Sequence, residues 1–325
     1  MGTHLKAYGS GRVALGSIDE RLENWDSLRT VRVDAINPDN QPLLPIIEDK
    51  VLLRILQHCD GRTVTKMEAT CTRLRRLVRK HNDELPKVRK DQIKLYFDEG
   101  EVIIVPLDER MIPTRYAMPS IEHLINCFRR LSTSSLFIRG LIPAETIPVL
   151  RRLSRYHLGA SQIYFLWCVF DENAGEHLKN LFTSNLSTLS DVGFEICSPA
   201  SLISDDLIEN NLPQLTSLRV WHESAGHAYA ISDATLFRFA DLFLSGECEV
   251  ETLDLSSVRI TTSGVSALIE AWFRQPKVRS HIIISLYRCG ITRQHLAASC
   301  QTLGIPLSSK GILETRGHRL TLHIA

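Results

Sequence analysis

The 325-residue sequence holds no apolar run near the roughly 20 residues that a membrane-spanning helix requires. Its first residues, MGTHLKAYGSGR, lack the apolar stretch of a secretory signal. The eight cysteines (Cys59, Cys71, Cys127, Cys168, Cys197, Cys248, Cys289, Cys300) lie scattered, with no CxxC pair among them. Disulfide frameworks belong to short secreted chains. The expectation is therefore free thiols in a reducing compartment, cytoplasmic and/or nuclear, away from any membrane. The lone Asn185-Leu186-Ser187 match to a glycosylation acceptor reads as chance in that setting. Phosphate-binding loops are missing too, because the glycines of Gly9-Ser10-Gly11-Arg12-Val13-Ala14-Leu15-Gly16 lack GxGxxG spacing and follow no strand. No GxSxG nucleophile elbow occurs. Net charge is nearly absent: 38 Lys and Arg stand against 37 Asp and Glu, a difference of +1 that favours neither nucleic acid nor a membrane surface.

What the chain does have is a core. Hydrophobic residues make up 44% and charged residues 23%, which excludes wholesale disorder. The length suits about two domains of ~150 residues. Charge is divided unevenly between them. From Leu44 to Leu95 there are 13 Lys and Arg against 7 Asp and Glu, a local +6, so a basic module adjoins a mildly acidic remainder. Residues 1–43 end in Asn37-Pro38-Asp39-Asn40-Gln41-Pro42 and read as a loose leader and linker, with room for one short helix at Asp19–Leu28.

From Ile47 the pattern turns helical. Val51, Leu52, Ile55 and Leu56 fall on one helix face. Asp60-Gly61 ends that helix, a second runs to about Ala69, and a third carries Leu74, Leu77 and Val78 among five basic residues, Arg73 to Lys80. Three short helices bury too little surface to stand without a neighbour or partner. The stretch Ile47-Glu48-Asp49-Lys50-Val51-Leu52-Leu53-Arg54-Ile55-Leu56, with Asp60-Gly61-Arg62 through Cys71-Thr72-Arg73-Leu74-Arg75-Arg76-Leu77, resembles an F-box laid on without gaps. The family's Leu-Pro pair falls on Ile47-Glu48, while a true Leu44-Pro45 lies three residues earlier. Cys59 replaces the usual Leu, and Leu74 the usual Trp. Behind it, Asp91–Phe97 and Glu101–Pro106 alternate on either side of a turn at Asp98-Glu99-Gly100 and predict a β-hairpin. An F-box followed by such a hairpin is similar to the large nematode class of F-box proteins.

The remaining two thirds repeat. One hexad recurs as Leu136/Ile138/Leu141, Ile163/Phe165/Cys168, Val192/Phe194/Cys197, Leu218/Val220, Leu253/Leu255/Val258 and Ile284/Leu286/Cys289, at spacings of 27, 29, 26, 35 and 31 residues. Each hexad predicts a short strand followed by a polar stretch and an amphipathic helix, the pattern of leucine-rich repeats stacked into a solenoid. Val250–Thr261 with the helix behind it resembles the ribonuclease-inhibitor subclass. An ordinary α/β sandwich is the alternative. The tail Arg319–Ile324 alternates as a final capping strand does. The expected fold is thus α/β: a three-helix F-box at 44–82, a β-hairpin region at 83–118, and a curved leucine-rich-repeat-like β/α solenoid at 119–325.

Catalytic chemistry finds little purchase. In Trp221-His222-Glu223-Ser224-Ala225-Gly226-His227 the histidines stand at i, i+5, which on a helix points them about 140° apart and spoils a zincin site. No metal, cofactor or catalytic residue is expected. Cys168, Cys197 and Cys289 are expected to pack inside as small apolar groups, and the Arg73–Lys80 run to be the solvated face of a helix. Strand alternation instead points to a binding face. Phe137, Arg139, Tyr164, Trp167, Glu195, Arg219, Trp221, His222, Asp254, Tyr287 and Arg288 lie between the inward positions, and aromatics and arginine are the usual substance of binding hot spots.

The family resemblance implies a non-enzymatic receptor subunit of an SCF-type (Skp–cullin–F-box) ubiquitin ligase. Ile47, Val51, Leu52, Ile55, Leu56 and Leu74 would meet a Skp-family adaptor and, through it, a cullin. The solenoid's face would hold an unidentified protein target, with neither nucleic acid nor membrane involved. Two other readings stay open. One is a leucine-rich-repeat scaffold or inhibitor independent of ubiquitin; the other is an enzyme whose dispersed site the sequence conceals.

Overall fold

The computed structural model describes residues 47–108, 112–117, 128–222, 229–276, 281–305, 307–308, 311–315 and 318–324. The leader expected at 1–43, its Asp19–Leu28 helix and the Leu44-Pro45 pair lie outside the described residues. The chain divides into two compact units, one ending at Pro86 and the other running from Lys87 to Ala325.

In the first unit three helices follow one another: α1 (Asp49–His58), α2 (Gly61–Thr70) and α3 (Thr72–Lys80). Asp60 caps α2, its carboxylate accepting hydrogen bonds from the Arg62 and Thr63 amides at 2.8 and 3.0 Å and from the Thr63 hydroxyl at 2.6 Å. The Thr63 bonds hold that carboxyl below the usual range. Cys71 ends α2 and caps α3 with its sulfur. Leu52, Leu56, Val64, Leu74, Leu77, Val78 and Leu85 close a small core. Arg73 clasps the start of α1, donating to Asp49 at 2.7 Å and to the Ile47 carbonyl at 2.6 Å.

The second unit is α/β, built on one eleven-stranded sheet. Six parallel strands form its middle: β4 (Leu131–Arg139), β5 (Gln162–Leu166), β6 (Asp191–Glu195), β7 (Ser217–Trp221), β8 (Thr252–Ser256) and β9 (Ile282–Tyr287). These neighbours in space are also neighbours in sequence, and the order never reverses. The hairpin is the expected one, β1 (Val88–Tyr96) against β2 (Glu101–Val105), with Gly100 at a φ of +63° in the turn. It belongs to the sheet, because β1 pairs in parallel with β4 while β2 pairs outward with β3 (Thr114–Ala117). At the other end β11 (His318–Ile324) lies parallel to β9, and β10 (Ile312–Thr315) adds the antiparallel edge.

The intervening helices are α4 (Pro143–Arg155), α5 (Gly175–Ser184), α6 (Asp205–Ile208), α7 (Asp233–Ser245), α8 (Thr262–Arg274) and α9 (Arg293–Thr302). Crossovers between parallel neighbours are right-handed. When each new strand is added on the same side, every crossover must pass over the same face of the sheet. Alternation agrees: Leu136, Ile138, Ile163, Phe165, Val192, Phe194, Leu218, Val220, Leu253, Leu255, Ile284 and Leu286 are fully buried. Phe165, Phe170, Phe182 and Phe194 interlock there as stacked and edge-to-face rings.

Two expectations need correction. No long helix joins β6 to β7; the four-residue α6 sits between two 3-10 segments, Ala200–Leu202 and Glu209–Gln214, the second containing Pro213. Val258 is also not an inward residue, being 58% exposed. The buried place falls one residue earlier, on Ser257, whose hydroxyl donates to the Tyr229 and Ile231 carbonyls at 3.0 and 2.6 Å.

Two further periodicities stitch the strands. Before successive strands, the Ser161, Ser190 and Thr216 hydroxyls each donate to the carbonyl of the preceding member, Ser134, Ser161 and Ser190, at 3.0–3.2 Å. After the strands comes a left-handed residue, Gly140, Trp167, Ile196 and Arg288, with φ from +52° to +69°. In the first three the amide reaches the next strand, bonding Leu166, Glu195 and Trp221 carbonyls at 2.9–3.0 Å. Cys168 and Cys197 follow immediately, both buried, their thiols donating to the Ile138 and Phe165 carbonyls at 3.4 Å. The seven described cysteines are all free.

Candidate binding face

The sheet face opposite the buried one carries two straight rows fixed by strand register. The first runs Lys94, Phe137, Tyr164, Gly193, Arg219, Asp254, Ser285. The second runs Tyr96, Arg139, Leu166, Glu195, Trp221, and resumes at Ser256 and Tyr287. All nine residues expected to bind a target lie on this face or, for Trp167, just past the end of β5.

Their interactions form a chain. Phe137 and Tyr164 stack with centroids 5.1 Å apart and planes 14° from parallel. The Lys94 ammonium lies 5.5 Å from the Phe137 centroid. Arg139 is a hub: its guanidinium sits 5.3 Å from Tyr96 and 4.6 Å from Trp167, and bonds Asp98 at 2.8 Å and Glu99 at 3.2 Å. Trp167 is 49% exposed. Arg219 pairs with Asp254 at 3.2 Å.

Gly193 interrupts the first row. A Cβ there would lie 2.2 Å from Cδ1 of Tyr164, so the bare backbone lets the tyrosine ring lean across β6. Beside it opens a hollow of about 310 Å³, lined by Phe137, Tyr164, Leu166, Gln162, Glu195 and Arg219 among others. Burial raises the Tyr164 pKa, nearby Asp191 adds to the rise, and Arg219 opposes it. The phenol therefore stays protonated at neutral pH. Sequence alternation found Phe137, Tyr164, Glu195 and Arg219 of this hollow but missed Gly193, Gln162 and Leu166, since a glycine inside a strand advertises close approach without saying of what.

Two residues placed by the sequence on this face behave differently. His222 is buried against Tyr229, edge to face at 5.7 Å, and Arg288 occupies a left-handed position beyond β9. Residues 223–228, which include His227 of the zincin-like stretch, lie outside the described residues. Among the described residues no group of three His, Cys, Asp or Glu side chains is placed to hold a metal ion. No described helix is long and apolar enough to cross a membrane.

In the first unit, the six residues expected to meet an adaptor separate into two sets. Leu52, Leu56 and Leu74 are core, and Ile47 packs against it half-buried. Val51 and Ile55 remain 47% and 44% exposed. Neither protein-family models nor curated proteins match the chain.

Proposed function

We propose that the protein is the substrate-recognition subunit of an SCF-type ubiquitin ligase, its residues 47–80 forming an F-box that docks on a Skp-family adaptor. Residues from Lys87 onward act as a leucine-rich-repeat-like solenoid whose bare sheet face captures a protein target. The protein breaks no bonds itself. It holds the target near a ubiquitin-charged enzyme brought by the cullin, so its contribution is proximity and orientation.

The observation that carries this reading is the surplus on α1. Val51 and Ile55 stand one turn apart and exposed, on a helix whose Leu52 and Leu56 already fill the core. An exposed apolar pair rimmed by charge suits an interface. The unreversed strand order and the aromatic rows support the second half, since a sheet face left bare by its own helices is free for a partner.

Co-purification of the full chain with a Skp-family adaptor tests it. Val51→Asp combined with Ile55→Asp should abolish the association while leaving the melting temperature nearly unchanged, because exposed side chains contribute little to folding. Leu56→Ala is the contrasting variant, expected to destabilise the unit by about 2–5 kcal/mol. Failure of the wild-type chain to bind any adaptor would favour the ubiquitin-independent scaffold instead.

A further inference from the structure

We propose that the hollow beside Gly193 receives a basic side chain, arginine or lysine, from an extended segment of the protein target. This rests on the sheet face being the target-binding surface. The argument is one of unmatched charge. The cations nearest the hollow are engaged: Arg139 with Asp98 and Glu99, Arg219 with Asp254, Lys94 over Phe137. Two carboxylates flank Gly193 on the same strand. Asp191 and Glu195 stand two residues to either side of Gly193 on β6, so alternation puts both on its face. Asp191 accepts from the Ser190 hydroxyl at 2.5 Å. The Glu195 carboxylate has neither ion pair nor hydrogen bond among the described residues, and it lines the hollow.

The walls select the same occupant. Phe137, Tyr164 and Leu166 offer apolar surface and Glu195 a carboxylate, while the hollow's own cation, Arg219, is paired with Asp254 at 3.2 Å. An amphipathic cation fits both parts, its methylene stem along the rings and its charged head on the carboxylate. A leucine would desolvate Glu195 and Gln162 without bonding them. A glutamate would meet Glu195 at like charge. The rows continue past the hollow, to Lys94 and Tyr96 on one side and to Trp221 and Tyr287 on the other. The occupant therefore belongs to a longer body crossing several strands.

The probe is a set of fluorescent peptide pools, degenerate except for a fixed central Arg, Lys, Leu or Glu, titrated against the purified full chain. Arg- and Lys-centred pools should bind tightest. Glu195→Gln should weaken them roughly tenfold and erase the preference, the loss of one charge-assisted hydrogen bond. Glu195→Lys should turn the preference toward Glu-centred pools, an outcome that misfolding cannot produce. A wild-type preference for Leu or Glu, or a preference unmoved by Glu195→Gln, overturns the basic-residue inference and leaves the binding face standing. If no pool binds at all, the face and the inference fall together.

Discussion

A missing side chain does as much on this face as the aromatic ones. Gly193 lets Tyr164 lean over β6 while stacking on Phe137. Gly193→Ala would set a methyl 2.2 Å from that ring, and the neighbour is a packed aromatic rather than the end of a flexible chain. We expect a loss of about 1–3 kcal/mol, the usual cost of forcing a methyl into filled space, measured by denaturant midpoint. Removing the ring with Tyr164→Ala in the same chain should recover most of it. Purely additive effects of the two changes would mean that the glycine serves some other purpose. The left-handed positions show the opposite economy. Gly140 adopts its φ of +69° freely, whereas Ile196 holds +52° although a β-branched residue is costly there, by about 1–2 kcal/mol. The hydrogen bond from its amide to Trp221 holds it in place.

At the level of elements, helix starts are tied to the unit before them. Asp205 accepts from the Ser232 amide at 2.9 Å and hydroxyl at 2.6 Å, at the cap of α7. Asp233 treats Thr261, the cap of α8, alike at 2.7 and 2.6 Å. Gly264 leaves space for that carboxylate, since a Cβ there would fall 2.3 Å from its oxygen. Asp205→Ala should cost about 1–2 kcal/mol and speed amide exchange in the first turn of α7. Asp206→Ala, which removes only a bond to Lys179, should leave that turn unaffected.

These elements were unevenly legible in the sequence. Strand positions showed plainly, because alternating apolar residues such as Leu136/Ile138 or Ile284/Leu286 state a period of two directly. The third hexad position failed at Val258, because a buried serine that bonds two carbonyls looks like a surface residue in sequence. The β6–β7 connection departs from the helix the repeat pattern predicts, because Pro199, Pro213 and the short spacing favour 3-10 turns. The hydroxyl ladder through Ser134, Ser161, Ser190 and Thr216 has the same 27-, 29- and 26-residue spacing as the hexads, and was in principle visible. Of the six residues expected to meet an adaptor, periodicity could place Val51, Leu52, Ile55 and Leu56 on one stripe but could not divide that stripe into core and surface.

For the whole molecule the telling variable is alkaline pH. Burial raises the thiol pKa values of Cys197, Cys289 and Cys300 and the phenol pKa values of Tyr164 and Tyr229. Tyr229 is fully buried, accepting from the Cys197 amide at 2.9 Å and donating to the Trp221 carbonyl at 3.1 Å. A group whose folded pKa is raised contributes its full stability below the unfolded value, and loses it as pH climbs through the folded one. Unfolded thiols titrate near about 8.5 and phenols near about 10. Stability should therefore hold through neutrality and decline above about pH 8.5, with phenolate absorbance rising as circular dichroism is lost. Tyr229→Phe should flatten the steepest part of that decline. A phenolate signal complete before any unfolding would contradict the burial of both rings.

The unreversed strand order has a mechanical meaning as well. From β5 to β8 each strand pairs only with the one before and the one after it, so tension across that stretch meets no strand that locks distant parts together. Load would peel the sheet from an edge, releasing one strand-and-crossover at a time. With 26 to 35 residues between successive strands, each release lengthens the chain by roughly 90–120 Å at full extension. A protein built this way gives under force as a series of short steps, and what remains after each step is still a sheet with its buried side covered.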